Sequence, residues 1–192
     1  MNHKKYIFGI FLFACLFISQ TITMAQNDKV RASLRASASQ RIGVDTDITI
    51  DYSRPGVKGR NVWGDLVPFG MAPGNEYSKG KPYPWRAGAN ENTTIEFSND
   101  VFIEGKKLAA GKYGLHMIPS EEDWIVIFSK RNSDWGSYSY DPAEDALRVT
   151  VTPEKAPYQE WLLFNFDDLS ATSATAYLHW YKLKVPFKIS IN

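Results

Sequence analysis

Along most of the chain, apolar and polar residues alternate in short runs, the two-residue period of a strand with one face buried and one wet. Ile48, Ile50 and Tyr52 fall on one face of such a run, and Asp47, Thr49 and Asp51 on the other. Thr93, Ile95 and Phe97 alternate with Thr94, Glu96 and Ser98 in the same way. Near the C-terminus, Val185, Phe187, Ile189 and Ile191 alternate with Lys184, Pro186, Lys188 and Ser190. Three further runs, 115–118, 124–128 and 161–164, are apolar on both faces, as expected of inner strands between packed sheets. This pattern assigns Trp124, Trp161 and Trp180 to the core and gives no place to Trp63.

Turn chemistry separates the runs: Glu104-Gly105-Lys106, Ala110-Gly111-Lys112, Asn132-Ser133-Asp134 and Asp167-Asp168-Leu169-Ser170. About nine or ten strands at this spacing predict an all-β fold, an antiparallel β-sandwich or flattened barrel. At most one short helical turn is expected, at 142–146 with Asp141 as its cap. Two stretches break the alternation. Residues 53–88 form a Gly- and Pro-rich segment of about 36 residues, long for a compact domain without regular structure. Residues 130–140 interleave Trp135, Tyr138 and Tyr140 with small polar residues. Irregular segments held on a rigid scaffold are where a site is most readily built.

The first 25 residues do not fit the strand pattern and read as a secretory signal. Lys4 and Lys5 precede an apolar run over 6–18, and polar residues then lead to Thr23-Met24-Ala25. The run is shorter than the roughly 20 apolar residues of a membrane anchor, so no stable span is expected after cleavage. Cys15 lies inside the apolar run, a poor position for lipidation, and it is the only cysteine. The mature part therefore has no disulfide, thiolate ligand or cysteine nucleophile. Residues 26–37 are expected to be a flexible mature N-terminus, and 38–192 a single domain large enough for its own core. The predicted location is exported, periplasmic or secreted. After removal of the signal, 20 Lys and Arg face 21 Asp and Glu, which gives no reason to expect nucleic acid or an anionic membrane as partner.

Several strings occur together in order: Asp51-Tyr52-Ser53-Arg54-Pro55 with Lys58-Gly59-Arg60, then Leu66-Val67-Pro68, then Trp85-Arg86-Ala87-Gly88-Ala89-Asn90-Glu91. They continue through 110–119, Trp135-Gly136-Ser137-Tyr138 and Leu147-Arg148-Val149. In these strings the chain resembles the bacterial domain-of-unknown-function family 2911, from about Ser39 to Ile189. The resemblance implies an exported, β-rich single domain and carries no established activity or catalytic residues. It also implies that 71–84, with Pro73, Pro82 and Pro84, is a local extension, because many members have a shorter linker there.

The candidate chemistry gathers in the two irregular stretches. Arg54, Lys58, Arg60, Arg86, Asn90 and Glu91 lie in or beside the long one, where guanidinium forks could clamp an anion and Asn90 with Glu91 could read hydroxyls. The competing structural role is that Arg60 and Arg86 pair with Glu91, Asp65 or Asp51 to hold the loop down. Trp85, Trp135, Tyr138 and Tyr140 offer flat faces for stacking on a sugar ring, or alternatively cap the core. His116 and His179 are the only mature histidines. His116 shares a strand face with Gly114, whose missing side chain leaves room for a ligand beside the imidazole. The two histidines are too far apart in sequence for local metal-ligand spacing, so no metal and no cofactor are expected. Glu91 with Asp141 or Asp51 are the carboxylate pairs available for hydrolysis. The favoured function is non-catalytic binding of a small polar or saccharide-like ligand, with Arg86 and Arg60 as donors and Trp135 as the stacking face. Its rivals are a periplasmic hydrolase using Glu91 with His116 or Asp141, and a structural or partner-docking module of the cell envelope.

Overall fold

Ten strands form where the alternation is found, and they leave the two irregular stretches outside the sheets. The computed structural model describes residues 30–191. The expected signal over 1–25, Cys15 within it, and the start of the expected flexible segment lie outside the described residues. The strands are β1 (Leu34–Ile42), β2 (Thr46–Arg54), β3 (Thr94–Phe97), β4 (Val101–Ile103) and β5 (Lys106–Leu108). They continue with β6 (Gly111–Ile118), β7 (Trp124–Ser129), β8 (Asp145–Val151), β9 (Glu154–Asp167) and β10 (Ser173–Ser190). A six-stranded sheet, β1-β2-β3-β6-β7-β8, packs on a four-stranded one, β5-β4-β10-β9, with every neighbouring pair antiparallel. The two sheets do not close into a barrel; the fold is a β-sandwich. A single 3-10 turn, Pro142–Glu144, is capped by Asp141, whose carboxylate accepts from the Ala143 N–H. Among the described residues no helix is long and apolar enough to cross a membrane.

The core follows the period-2 reading. Ile48, Ile50, Ile95, Phe97, Leu115, Met117, Val126 and Phe128 of one sheet meet Leu162, Phe164, Leu178, Trp180, Val185 and Phe187 of the other. Two expectations need correction. β1 begins at Leu34, within the segment expected to be flexible, because Ala36 and Ala38 pack on the core while Arg35 and Ser37 face outward. Alanine gives too little hydrophobic contrast for that alternation to stand out in the sequence. Trp161 is 39% exposed rather than core. β9 is the edge of its sheet, and its apolar run carries Trp161 on the outward face beside Lys58, whose ammonium lies 5.7 Å from the ring centroid.

Trp63 is the residue that ties the long irregular stretch to the sandwich. Its indole makes edge contacts with Trp124 at 4.8 Å, Trp85 at 5.6 Å and Trp180 at 5.7 Å between centroids. Trp85 and Trp180 stack at 6.0 Å with 18° between planes. One ring thus joins the loop to β7 of one sheet and β10 of the other. The Trp63 indole N–H is buried without a partner among the described residues, a cost that the surrounding aromatic area offsets. Trp63→Ala is predicted to lower unfolding free energy by about 3 kcal/mol in denaturant melts, and Trp161→Ala by less than half as much. Equal losses would show that Trp63 is not the anchor.

Candidate functional site

The long stretch is irregular but well tied. The Trp85 N–H donates to Met117 O at 2.9 Å and the Trp85 carbonyl accepts from the Met117 N–H at 2.8 Å, so the returning chain occupies the strand position beside β6 that β3 has vacated. Upstream, Ala72 and Tyr83 exchange backbone hydrogen bonds at 2.8 and 3.2 Å and close a loop. Inside it, Asn75 Oδ1 accepts from the Ser78 amide at 3.0 Å, Ser78 Oγ accepts from the Asn75 amide at 2.9 Å, and Gly80 N donates to Asn75 O at 2.8 Å. Gly74 has no alternative here, because a Cβ on it would collide with the Gly80 carbonyl.

The second irregular stretch roofs the outer face of the six-stranded sheet over His116. His116 is 2% exposed; its Nδ1 shares a 2.8 Å hydrogen bond with Ser137 Oγ, and Tyr140 packs edge-on at 5.7 Å. The space expected beside Gly114 is filled. A Cβ there would strike the Arg131 carbonyl, so the glycine permits the close approach of the roof and makes no room for a ligand. Burial, and then the nearby Arg86 guanidinium, hold the imidazole down at about 4, so it is neutral near pH 7. Arg86 itself lies under the roof, 4.8 Å above the Tyr138 ring, with Nη1 donating to Asn90 O at 2.6 Å.

Where the two stretches meet they form a cleft of about 730 Å³, a normal size for a small-molecule site. One wall is Met71, Tyr77, Lys79 and Lys81 from the closed loop; the other is Tyr138, Tyr140 and Asp141, with Arg131 and Arg148. Tyr77 is 69% exposed and packs on Tyr138 at 5.4 Å, and Tyr83 meets the same ring edge-on at 5.1 Å. The Tyr140 hydroxyl donates to Asp145 Oδ2 at 2.7 Å and accepts from Arg148. Its partial burial and the Asp145 carboxylate raise its pKa and keep it protonated.

The expected site residues divide among separate places. Tyr138 and Tyr140 line this cleft. Lys58, Arg60 and Trp85 line a smaller one of about 320 Å³, and Glu91 a polar groove of about 640 Å³ on the open face of β1, β2 and β3. Arg54, Arg86, Asn90, His116 and Trp135 line none of the three. The cations fasten backbone: Arg54 Nε donates to Leu162 O at 2.8 Å, and Arg60 donates to Val57 O and Gly56 O at 3.0 and 2.6 Å. Among the described residues neither Arg60 nor Arg86 pairs with a carboxylate, contrary to the structural role considered for them; carbonyls take their place. Trp85 is part of the aromatic anchor and not a free face, while Trp135 is 58% exposed but outside the cleft. The sequence reading missed Tyr77, Lys79, Lys81, Arg131 and Arg148, although the first three stand in the Pro-flanked segment it singled out as an extension.

Glu91 accepts from Arg31 Nη1 at 2.8 Å and Arg35 Nη2 at 2.9 Å. These bonds, that from Arg31 first, hold its carboxyl at about 2. It shares the polar groove with Asp51, but a carboxylate kept ionised this firmly is a poor general acid or base at neutral pH. Asp141 lies in a different cleft and His116 in none, so Glu91 shares a cleft with neither of these two. Among the described residues no three His, Cys, Asp or Glu side chains cluster as a metal site.

Residues 33–189 match the model of the family described as protein of unknown function DUF2911. The chain belongs to this family. The match takes in both walls of the large cleft and every strand except the last residue of β10. No curated protein and no solved structure matches this DUF2911 domain.

The neutral, buried His116 sets the acid response of the domain. Its imidazole takes up a proton near pH 6.5 when unfolded but only near 4 when folded, so the unfolded state binds more protons between these values. The stability it supports is complete above about 6.5 and falls by about 3 kcal/mol as pH drops to 4. Glu91 acts in a lower window, its contribution being lost as pH falls from 4.5 towards 2. Denaturant melts of His116→Gln are predicted to lose the slope between pH 6.5 and 4 and keep the lower one. An unchanged upper slope would remove His116 as its cause.

Proposed function

We propose that this DUF2911 domain is exported and binds a small polar, saccharide-like ligand, without turnover, in the cleft between residues 71–82 and 138–142. The observation that carries the reading is the pairing of tyrosine faces with a polar, cation-rich rim in one cleft of about 730 Å³. Saccharide recognition needs this combination, a flat ring for the apolar face of the sugar and directional donors around it. Tyr77 supplies the accessible ring in place of Trp135, and Lys79, Lys81 and Arg148 supply donors in place of Arg60 and Arg86. Export is supported by the basic, apolar and small-residue order of the first 25 residues. The absence of turnover is supported by the single carboxylate in the cleft and by the sealed imidazole of His116.

Thermal unfolding across a panel of neutral and acidic sugars, small acids and divalent cations tests the reading. A ligand present at a hundredfold excess over its Kd stabilises by about 2.7 kcal/mol, which raises Tm by roughly 5–10 °C in a domain of this size. That rise is expected for a sugar and is expected to disappear in Tyr77→Ala, whose exposed ring contributes little to the core. No rise with any sugar, or a rise that survives in Tyr77→Ala, would overturn it and favour the docking-module reading.

A further inference from the structure

The charges around the cleft are unbalanced in a way that selects its ligand. Four cations line it, Lys79, Lys81, Arg131 and Arg148, against the single carboxylate of Asp141. Arg131 is paired with Asp134 at 2.8 Å and Arg148 with Asp145 at 2.6 Å. Lys79 and Lys81 have no ion pair and no side-chain hydrogen bond among the described residues. Both side chains are exposed, but the loop that carries them is fixed. The segment carrying them is closed by the Ala72–Tyr83 pair, cross-bonded by Asn75 and Ser78, and pinned through Tyr83, whose hydroxyl accepts from Asn75 Nδ2 at 2.9 Å. Lys79 takes the left-handed backbone region at φ 53°, followed by Gly80 at 76°. A lysine held in that conformation by a tight turn has its backbone placement set by the loop and not by the charge.

Resting on the reading of this cleft as a ligand site, we propose that its ligand is an acidic sugar, a saccharide ring bearing a carboxylate or phosphate that Lys79 and Lys81 engage while the ring lies on Tyr77. With Arg131 and Arg148 paired, Lys79 and Lys81 against the one carboxylate of Asp141 leave the partly enclosed space net positive, which favours an anion. Lysine suits the task because its ammonium is a point charge with three donors and accepts oxyanions of either geometry. Arg148, already bonded to Asp145 and the Tyr140 hydroxyl, then orients the sugar hydroxyls and is not the main anion partner.

Calorimetric titration of the full protein with glucose, glucuronate, glucose 6-phosphate and inorganic phosphate, at low and high salt, separates the possibilities. Glucuronate or glucose 6-phosphate is expected to bind about tenfold or more tighter than glucose in 50 mM salt, with most of that advantage gone in 0.5 M salt. The advantage is expected to vanish in the K79Q/K81Q double variant, whose affinity for the acidic sugars is expected to fall to that for glucose, with the melting temperature of the free protein unchanged. Glucose binding as tightly as the acids would overturn the anionic selectivity and leave the saccharide reading standing. A preference retained in the double variant, or inorganic phosphate alone binding as tightly as the acidic sugars, would also overturn it. Failure of every sugar to bind would remove the cleft reading itself.

Discussion

The contact on which the rest of the molecule depends is the meeting of Trp63 with Trp85, Trp124 and Trp180. A stretch of about 36 residues without a strand of its own has much conformational entropy to lose and few ladder hydrogen bonds to hold it. Aromatic rings bury large areas with only two side-chain torsions each, so four of them meeting at Trp63 offset that loss at one point. Because the point lies between β7 and β10, the loop becomes an extension of the sandwich core. The backbone exchange between Trp85 and Met117 then fixes where the chain returns, and the Ala72–Tyr83 pair fixes where the intervening loop stands.

From that anchoring follows the shape of the cleft. One wall is held by the closed loop and the other by the roof over His116, whose buried imidazole is neutral at neutral pH. Gly114 and Gly136 mark how tight that roof is: a Cβ at the first would meet the Arg131 carbonyl, and at the second the Arg86 guanidinium. Three arginines of the molecule's first half are committed to holding backbone. Arg54, Arg60 and Arg86 donate to carbonyls of loops and strand ends, the satisfaction that buried backbone demands. The lysines of the 71–82 loop stand outside this role, and the two of them against the single Asp141 carboxylate leave the cleft a net positive rim.

Much of the sandwich was legible because period 2 is a direct consequence of strand geometry, and Ile48, Ile50, Ile95 and Phe97 are large enough to make the contrast plain. β1 was legible only in part, since Ala36 and Ala38 mark their buried face weakly. Trp161 misled because an apolar residue on an edge strand looks like one on an inner strand, and only the sheet order tells them apart. The location of the candidate site was legible at the level of segments: both irregular stretches contribute a wall. Its residues were less so. Arginines that suit an anion suit a carbonyl equally well, and nothing in Arg-Pro-Gly or Trp-Arg-Ala distinguishes the two. Nothing in the 71–84 segment sets Lys79 and Lys81 apart until the fold brings them to one cleft with Tyr138 and Tyr140. Trp63 could not be placed because its contacts come from three distant parts of the chain.

The proposal that a ligand enters between the two irregular stretches, and not along the open polar groove of β1, β2 and β3, is tested by amide hydrogen exchange of the protein with and without saturating glucuronate. Added protection is expected at residues 71–83 and 137–142 alone, with the sheets unchanged. Protection centred on Ser37, Asp51 and Thr94 in the open groove, or no change anywhere, would contradict it.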